Sequence, residues 1–256
     1  MIHTFVFSPT GGTQRVLNAV TGGMHGPFSA HDLCSREENF SAIEIDRADR
    51  CLFAVPSFGG RVPVPAVERI AALRGNGAAA VAVVVYGNRD YDDTFAELQD
   101  VLERSGFRVA AGIAAVAEHS IVHRIASGRP DADDLIKLRE FGGALQQLLS
   151  TTQDFSLRLP GNRPYKAAHG GAKPQVGESC TRCGLCAQRC PVGAIPREDP
   201  SKTNTEHCIS CMRCVSVCPN GARSLPAGTV EAIAQRIGNA CAGRKENQIW
   251  LPENCK

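Results

Sequence analysis

A chain of 256 residues has room for one medium α/β domain and a small appended module, since domains commonly hold about 100 to 150 residues. Its composition, 43% hydrophobic and 21% charged, is that of a globular protein with a sizeable core and excludes a disordered or fibrous chain. A net charge of +2 without any block of like charge lacks the footprint of a nucleic-acid binder, so DNA and RNA are excluded as partners. Residues 1–8 carry neither a basic region nor a signal-type apolar stretch. The longest apolar run, residues 78–86, falls short of the about 20 residues that a membrane-spanning helix needs. The expected compartment is therefore the cytoplasm. In its reducing environment twelve cysteines are expected to hold metal or do redox chemistry rather than form disulfides.

Residues 2–7 are apolar and β-prone and predict a strand. Residues 14–24 place Val16, Leu17, Val20 and Met24 on one face and predict a helix. Between them runs Ser8-Pro9-Thr10-Gly11-Gly12-Thr13. The hydroxyls of Ser8, Thr10 and Thr13, with amides freed by Gly11 and Gly12 at a helix N-terminus, suit a single phosphate held without a cationic side chain. The same hydroxyls also serve as ordinary helix caps. The loop has neither the lysine of a nucleoside-triphosphate loop nor the G-x-G-x-x-G of a dinucleotide fold.

A strand over residues 51–55 runs into a loop with Pro56, Ser57, Phe58, Gly59 and Gly60. Another over 80–86 runs into Gly87, Asn88, Arg89 and Tyr91. In a doubly wound parallel sheet of order 2-1-3-4-5 these loops meet the first one at the carboxyl edge, where ligands bind. Phe58 and Tyr91 are candidates to stack on a flat ring, and Gly59, Gly60 and Gly87 would let backbone groups approach its polar edge. A fifth strand over 107–117 leads into Glu118-His119-Ser120, and an amphipathic helix follows over 131–149. His119 and His123 are expected to be structural.

The segment 151–175 holds Pro160, Gly161, Pro164, Gly170, Gly171 and Pro174 without helical period. It predicts an ordered or semi-rigid linker between a domain at 1–150 and one at 176–225. Arg163, Tyr165 and Lys166 are expected to be solvated linker residues, the alternative being that they line the gap between the two domains' redox centres. Cys180, Cys183, Cys186 and Cys190 form C-x2-C-x2-C-x3-C followed by Pro191. Cys208, Cys211, Cys214 and Cys218 repeat it before Pro219, at an offset of 28 residues that also aligns Gly193 with Gly221. Iron held by sulfide takes soft thiolates, and such a tight run can wrap three corners of a cubane. Zinc knuckles share the C-x2-C step but rarely need a third cysteine at that step or a paired C-P. Cys34, Cys51, Cys241 and Cys255 sit in no ligand pattern. Residues 226–256 predict a helical extension, with Val230, Ile233, Ala234 and Ile237 on one face; Trp250 beyond it is expected to pack, with partner docking as the alternative.

Each cysteine run resembles the bacterial dicluster ferredoxin pattern. The chain from Met1 to about Arg223 resembles flavodoxin-ferredoxin fusions, on Ser8 to Thr13, Pro56 to Pro63, Val84 to Arg89, Glu118 to Ser120 and Leu159 to Tyr165. The resemblance implies an α/β flavodoxin-like sheet joined to a small α+β dicluster ferredoxin domain, with FMN on the three loops and two [4Fe-4S] clusters. It also implies crossed ligation, in which Cys180, Cys183, Cys186 and Cys218 hold one cluster and Cys208, Cys211, Cys214 and Cys190 the other. Gly12 departs from the side chain many flavodoxins carry there. The function implied is electron transfer with a redox partner protein. The alternatives are a flavin site that reduces a small substrate directly, and clusters that are purely structural or sensory.

Overall fold

The computed structural model describes residues 1–150, 157–168 and 170–252. Five parallel strands, β1 (Ile2–Val6), β2 (Phe28–Asp32), β3 (Arg50–Pro56), β4 (Ala79–Tyr86) and β5 (Arg108–Val116), are ordered β2-β1-β3-β4-β5. That is the flavodoxin-like order. The central strand β4, AAVAVVVY, is buried along its whole length, as a parallel strand covered on both faces must be. The edge strand β2 alternates between exposed and half-buried and carries no such apolar signal.

Helices α1 (Gly12–Thr21) and α4 (Ala132–Leu148) cover one face through Val16, Leu17, Val20, Leu138 and Leu145. Helices α2 (Val64–Ala71) and α3 (Thr94–Arg104) cover the other through Ala66, Ile70, Phe95 and Leu98. Two glycines let α1 and α4 close on each other: a Cβ on Gly142 would stand 1.9 Å from the Val20 carbonyl oxygen, and one on Gly23 would stand 2.0 Å from that of Arg139. A capping box of Asp131 and Asp134 starts α4.

The cysteine-rich module is built twice. Its short helices, α5 (Leu185–Arg189) and α6 (Arg213–Ser216), and its left-handed residues, Arg182 with Ser210, Gly184 with Met212 and Gly193 with Gly221, recur at the 28-residue offset. A two-stranded antiparallel pair, β6 (Gln175–Val176) with β7 (Arg223–Ser224), closes it. The amphipathic helix α7 (Thr229–Ile237) forms as the sequence predicts. Beyond it the extension is not helical throughout, because β8 (Gln248–Trp250) returns to the sheet and pairs antiparallel with β5. That pairing satisfies edge amides that would otherwise stay open. Trp250 packs edge-on against Tyr91 and Phe95, in keeping with the packing role expected of it.

The described part of the linker is not simply solvated. Its polar groups are bonded to α3 and the turn before it. Asp93 accepts from the Asn162 and Lys166 amides at 2.8 and 2.7 Å, Asp100 holds Arg163 and Tyr165, and Gln99 holds Leu157 and Leu159. Linker residues 151–156 and 169, and Cys255, lie outside the described residues.

Candidate cofactor groove and thiol cavities

The loops after β1, β3, β4 and β5 enclose a groove at the carboxyl edge of the sheet. Its smaller compartment, about 80 Å³, is lined by Thr10, Gly12, Thr13 and Pro56. Gly11 enters α1 in the left-handed region at φ 92, and a Cβ on Gly12 would lie 3.3 Å from that of Ala117. The loop therefore runs close over the end of β5, with helix amides open toward the compartment. Ser8 takes a different place from Thr10 and Thr13: its Oγ accepts the Gln14 amide at 2.9 Å and braces the loop from within.

The larger compartment, about 430 Å³, has walls of Gly59, Gly60 and Arg89. Ser57, Phe58, Gly87, His119 and Ser120 belong to both compartments and form the neck between them. Two residues of the expected cofactor loops, Tyr91 and Asn88, face elsewhere. Tyr91 sits edge-on to Tyr86, Phe95 and Trp250, where burial pushes its hydroxyl pKa up. Asn88, at φ 62, turns its side chain away to donate to the carbonyls of Cys241 and Gly243 at 2.7 and 2.8 Å. His119 was expected to be structural, yet it lines the neck. Its Nδ1 accepts two amides, from Ile121 and Val122, and burial lowers its pKa.

The eight thiols of the repeat separate into two cavities. One is lined by Cys180, Cys183, Cys186 and Cys218, and the other by Cys190, Cys208, Cys211 and Cys214. The last thiol of each run thus stands with the first three of the other. Each of these crossing sulfurs receives an amide, Ala194 to Cys190 at 3.3 Å and Ala222 to Cys218 at 3.2 Å. Burial pushes Cys211 up to about 12 and Cys214 up to about 11, with added repulsion from Cys190 and Cys208. Burial also opposes ionisation of Cys218, but the amides of Asn220, Ala222 and Arg223 outweigh it and lower its pKa.

Buried thiols such as Cys211 and Cys214, which resist ionisation, suit ligands that metal cations deprotonate on binding. Among the described residues, no three His, Cys, Asp or Glu side chains close on a single ion. Each set of four thiols lines a cavity of its own.

Groove and thiol cavity share walls. Ile209 lines both the larger compartment and the cavity of Cys190, Cys208, Cys211 and Cys214, and Cys211 lines both that cavity and the smaller compartment. Arginines fix the junction. Arg213, between two of these thiols, donates to the Ser8 carbonyl at 3.3 Å, Arg69 donates to the carbonyls of Leu33 and Pro191, and Arg36 to that of Ala187.

Residues 174–219, which include all eight of these thiols, match the family described as the 4Fe-4S dicluster domain. The cysteine-rich module is a 4Fe-4S dicluster domain. The chain is 40% identical over 85 residues to "Putative oxidoreductase AegA" of Escherichia coli strain K12. The match covers 30% of this chain and 13% of that protein, so the chain spans about one eighth of the relative it matches. An archaeal flavodoxin is similar at 12% identity over 59% of this chain and 98% of its own, with a TM-score of 0.42. The flavodoxin of Streptococcus pneumoniae TIGR4 is similar at 17% identity over 59% and 98%, with a TM-score of 0.41. The fold assignment rests on the strand order itself. A flavodoxin-like sheet joined to a dicluster domain is the arrangement of flavodoxin-ferredoxin fusions. Among the described residues no helix is long and apolar enough to cross a membrane.

Proposed function

We propose that this chain is an electron-transfer iron-sulfur flavoprotein that relays single electrons between FMN in the groove and two [4Fe-4S] clusters, to or from a redox partner protein. One observation carries the proposal: the loop bearing Cys208 and Cys211 walls both the groove and one thiol cavity. When bound, the flavin supplies conversion between two-electron and one-electron steps, and the clusters supply single-electron relay.

Thr10, Thr13 and the amides after Gly11 would hold the phosphate. Phe58, Gly59, Gly60 and Gly87 would border the ring, and Arg89, tied to Asp92, would stay at its rim. Cys190, Cys208, Cys211 and Cys214 would hold the cluster next to the groove. Cys180, Cys183, Cys186 and Cys218 would hold the outer one, where Cys183 is exposed. Ile209 and Ser210, from the loop that bears Cys208 and Cys211, line the larger compartment, which favours passage through the thiol domain over direct reduction of a small substrate. About 59 mV shifts a one-electron equilibrium tenfold, so the amides on Cys190 and Cys218 bear on direction.

The test is anaerobic reductive titration of the purified chain with iron, acid-labile sulfide and flavin analysis. About eight irons and about one FMN per chain are expected. Zinc in place of iron, or a groove that retains no flavin, would overturn the proposal.

A further inference from the structure

His119 stands at the neck of the groove and touches both compartments. Its ring is held from two sides. Nδ1 accepts the backbone amides of Ile121 and Val122 at 3.2 and 3.1 Å. A ring nitrogen that accepts carries no proton, so the neutral imidazole keeps its proton on Nε2. Against the other side lies Gly87, where a Cβ would stand 2.6 Å from His119 Cδ2 and 3.0 Å from its Cβ. Cδ2 is bonded to Nε2, so the absent side chain of Gly87 is what lets this edge of the ring settle into the neck.

Nε2 makes no hydrogen bond to any described residue, and it is not among the polar atoms sealed from solvent without a partner. It therefore opens to the groove. The charged groups around it are Glu118 beside the smaller compartment, Arg89, Asp90, Lys166 and Arg236 around the larger, and His123 behind. Burial first, then His123 and Arg89, lower its pKa and so disfavour the charged ring. Protonating Nδ1 would also set it against the two amides.

We infer that His119 is the hydrogen-bond donor of the groove toward FMN: a neutral Nε2–H, tautomer fixed by two amides and position fixed by Gly87, for an acceptor atom of the flavin between phosphate and ring. The inference rests on the FMN reading above. A neutral donor steadies an acceptor without adding a charge.

The test uses the full chain purified anaerobically, with 15N-labelled histidine and FMN titration. At neutral pH the labelled protein should show a neutral Nε2–H tautomer for His119. His119→Phe keeps bulk and removes the donor, and should raise the FMN dissociation constant about five- to tenfold, the equivalent of one hydrogen bond. His119→Gln, which restores a donor, should recover part of that loss. Gly87→Ala should shift the His119 ring signals by displacing the imidazole, since its Cβ would stand 2.6 Å from His119 Cδ2. Unchanged iron content and far-ultraviolet dichroism identify variants that have folded.

A protonated ring or an Nδ1–H tautomer at neutral pH would overturn the inference, as would equal FMN affinity in His119→Phe and the wild type. A wild type that holds no FMN would sink the groove assignment and this inference with it, whereas equal binding by His119→Phe sinks the inference alone.

Discussion

Cys190 and Cys218 each close one cysteine run yet stand in the cavity of the other, so each thiol ties the two halves together. Cys190→Ser should therefore damage the centre of Cys208, Cys211 and Cys214 and spare that of its own neighbours. About half of the iron and sulfide should be lost, with one cluster signal surviving in paramagnetic resonance spectra; loss confined to the centre of Cys180, Cys183 and Cys186 would refute crossing. At this scale the sequence was most legible where spacing alone dictates chemistry, as in the two thiol runs. It was least legible where a side chain chooses between two surroundings. Tyr91 prefers an aromatic cluster completed by Trp250, and Asn88 prefers two carbonyls near the C-terminus; neither partner is near in sequence. His119 has no motif of its own and becomes distinctive only once the Ile121 and Val122 amides fix its tautomer.

Among the elements, β4 and the amphipathic α4 could be read directly, because a continuous apolar run and a helical period each report burial. Strand β2 could not, since its edge position leaves its side chains alternately exposed. Nor could β8, whose three residues form a strand only because β5 offers a free edge. Helix contacts also hide from pattern reading. Gly142 and Gly143 are adjacent in α4, but a Cβ on Gly142 meets the Val20 carbonyl at 1.9 Å whereas one on Gly143 meets nothing nearer than 4.0 Å. Gly142→Ala must push α1 and α4 apart and should destabilise the fold by about 1–3 kcal/mol, as overpacking does. Gly143→Ala should be neutral or stabilise by up to about 1 kcal/mol, through helix propensity. Chemical denaturation followed by the fluorescence of the single tryptophan, Trp250, checks both. Equal effects from the two substitutions would show that the helices do not meet at Gly142.

On the scale of the whole molecule, the linker strap and the arginines at the junction hold groove and thiol domain in one arrangement. For Asp93, burial alone would raise the pKa, but the amides of Asn162 and Lys166 and the Asn162 side chain outweigh it and hold it below the usual carboxylate value. A depressed folded value means that the stabilisation is present in full above the unfolded value, about 3.9, and is lost as pH falls through the folded one. Limited proteolysis within 157–168 should thus be as slow at pH 5 as at pH 7, while Asp93→Asn should speed it at both; equal protection in that variant would show that Asp93 does not hold the strap. With the strap in place, the order of centres becomes testable. The cavity of Cys190, Cys208, Cys211 and Cys214 abuts the groove, and the cavity holding the exposed Cys183 lies beyond it. Cys208→Ser should therefore slow electron exchange between flavin and iron-sulfur centres within the chain, and delivery to an external protein acceptor with it. Cys183→Ser should leave the internal exchange intact and slow only delivery. Rapid-mixing absorbance of flavin and clusters separates the two steps. If Cys183→Ser slowed the internal step as much as Cys208→Ser, electrons would not pass through the centres in this order, because a break at the outer end cannot delay a transfer completed before it.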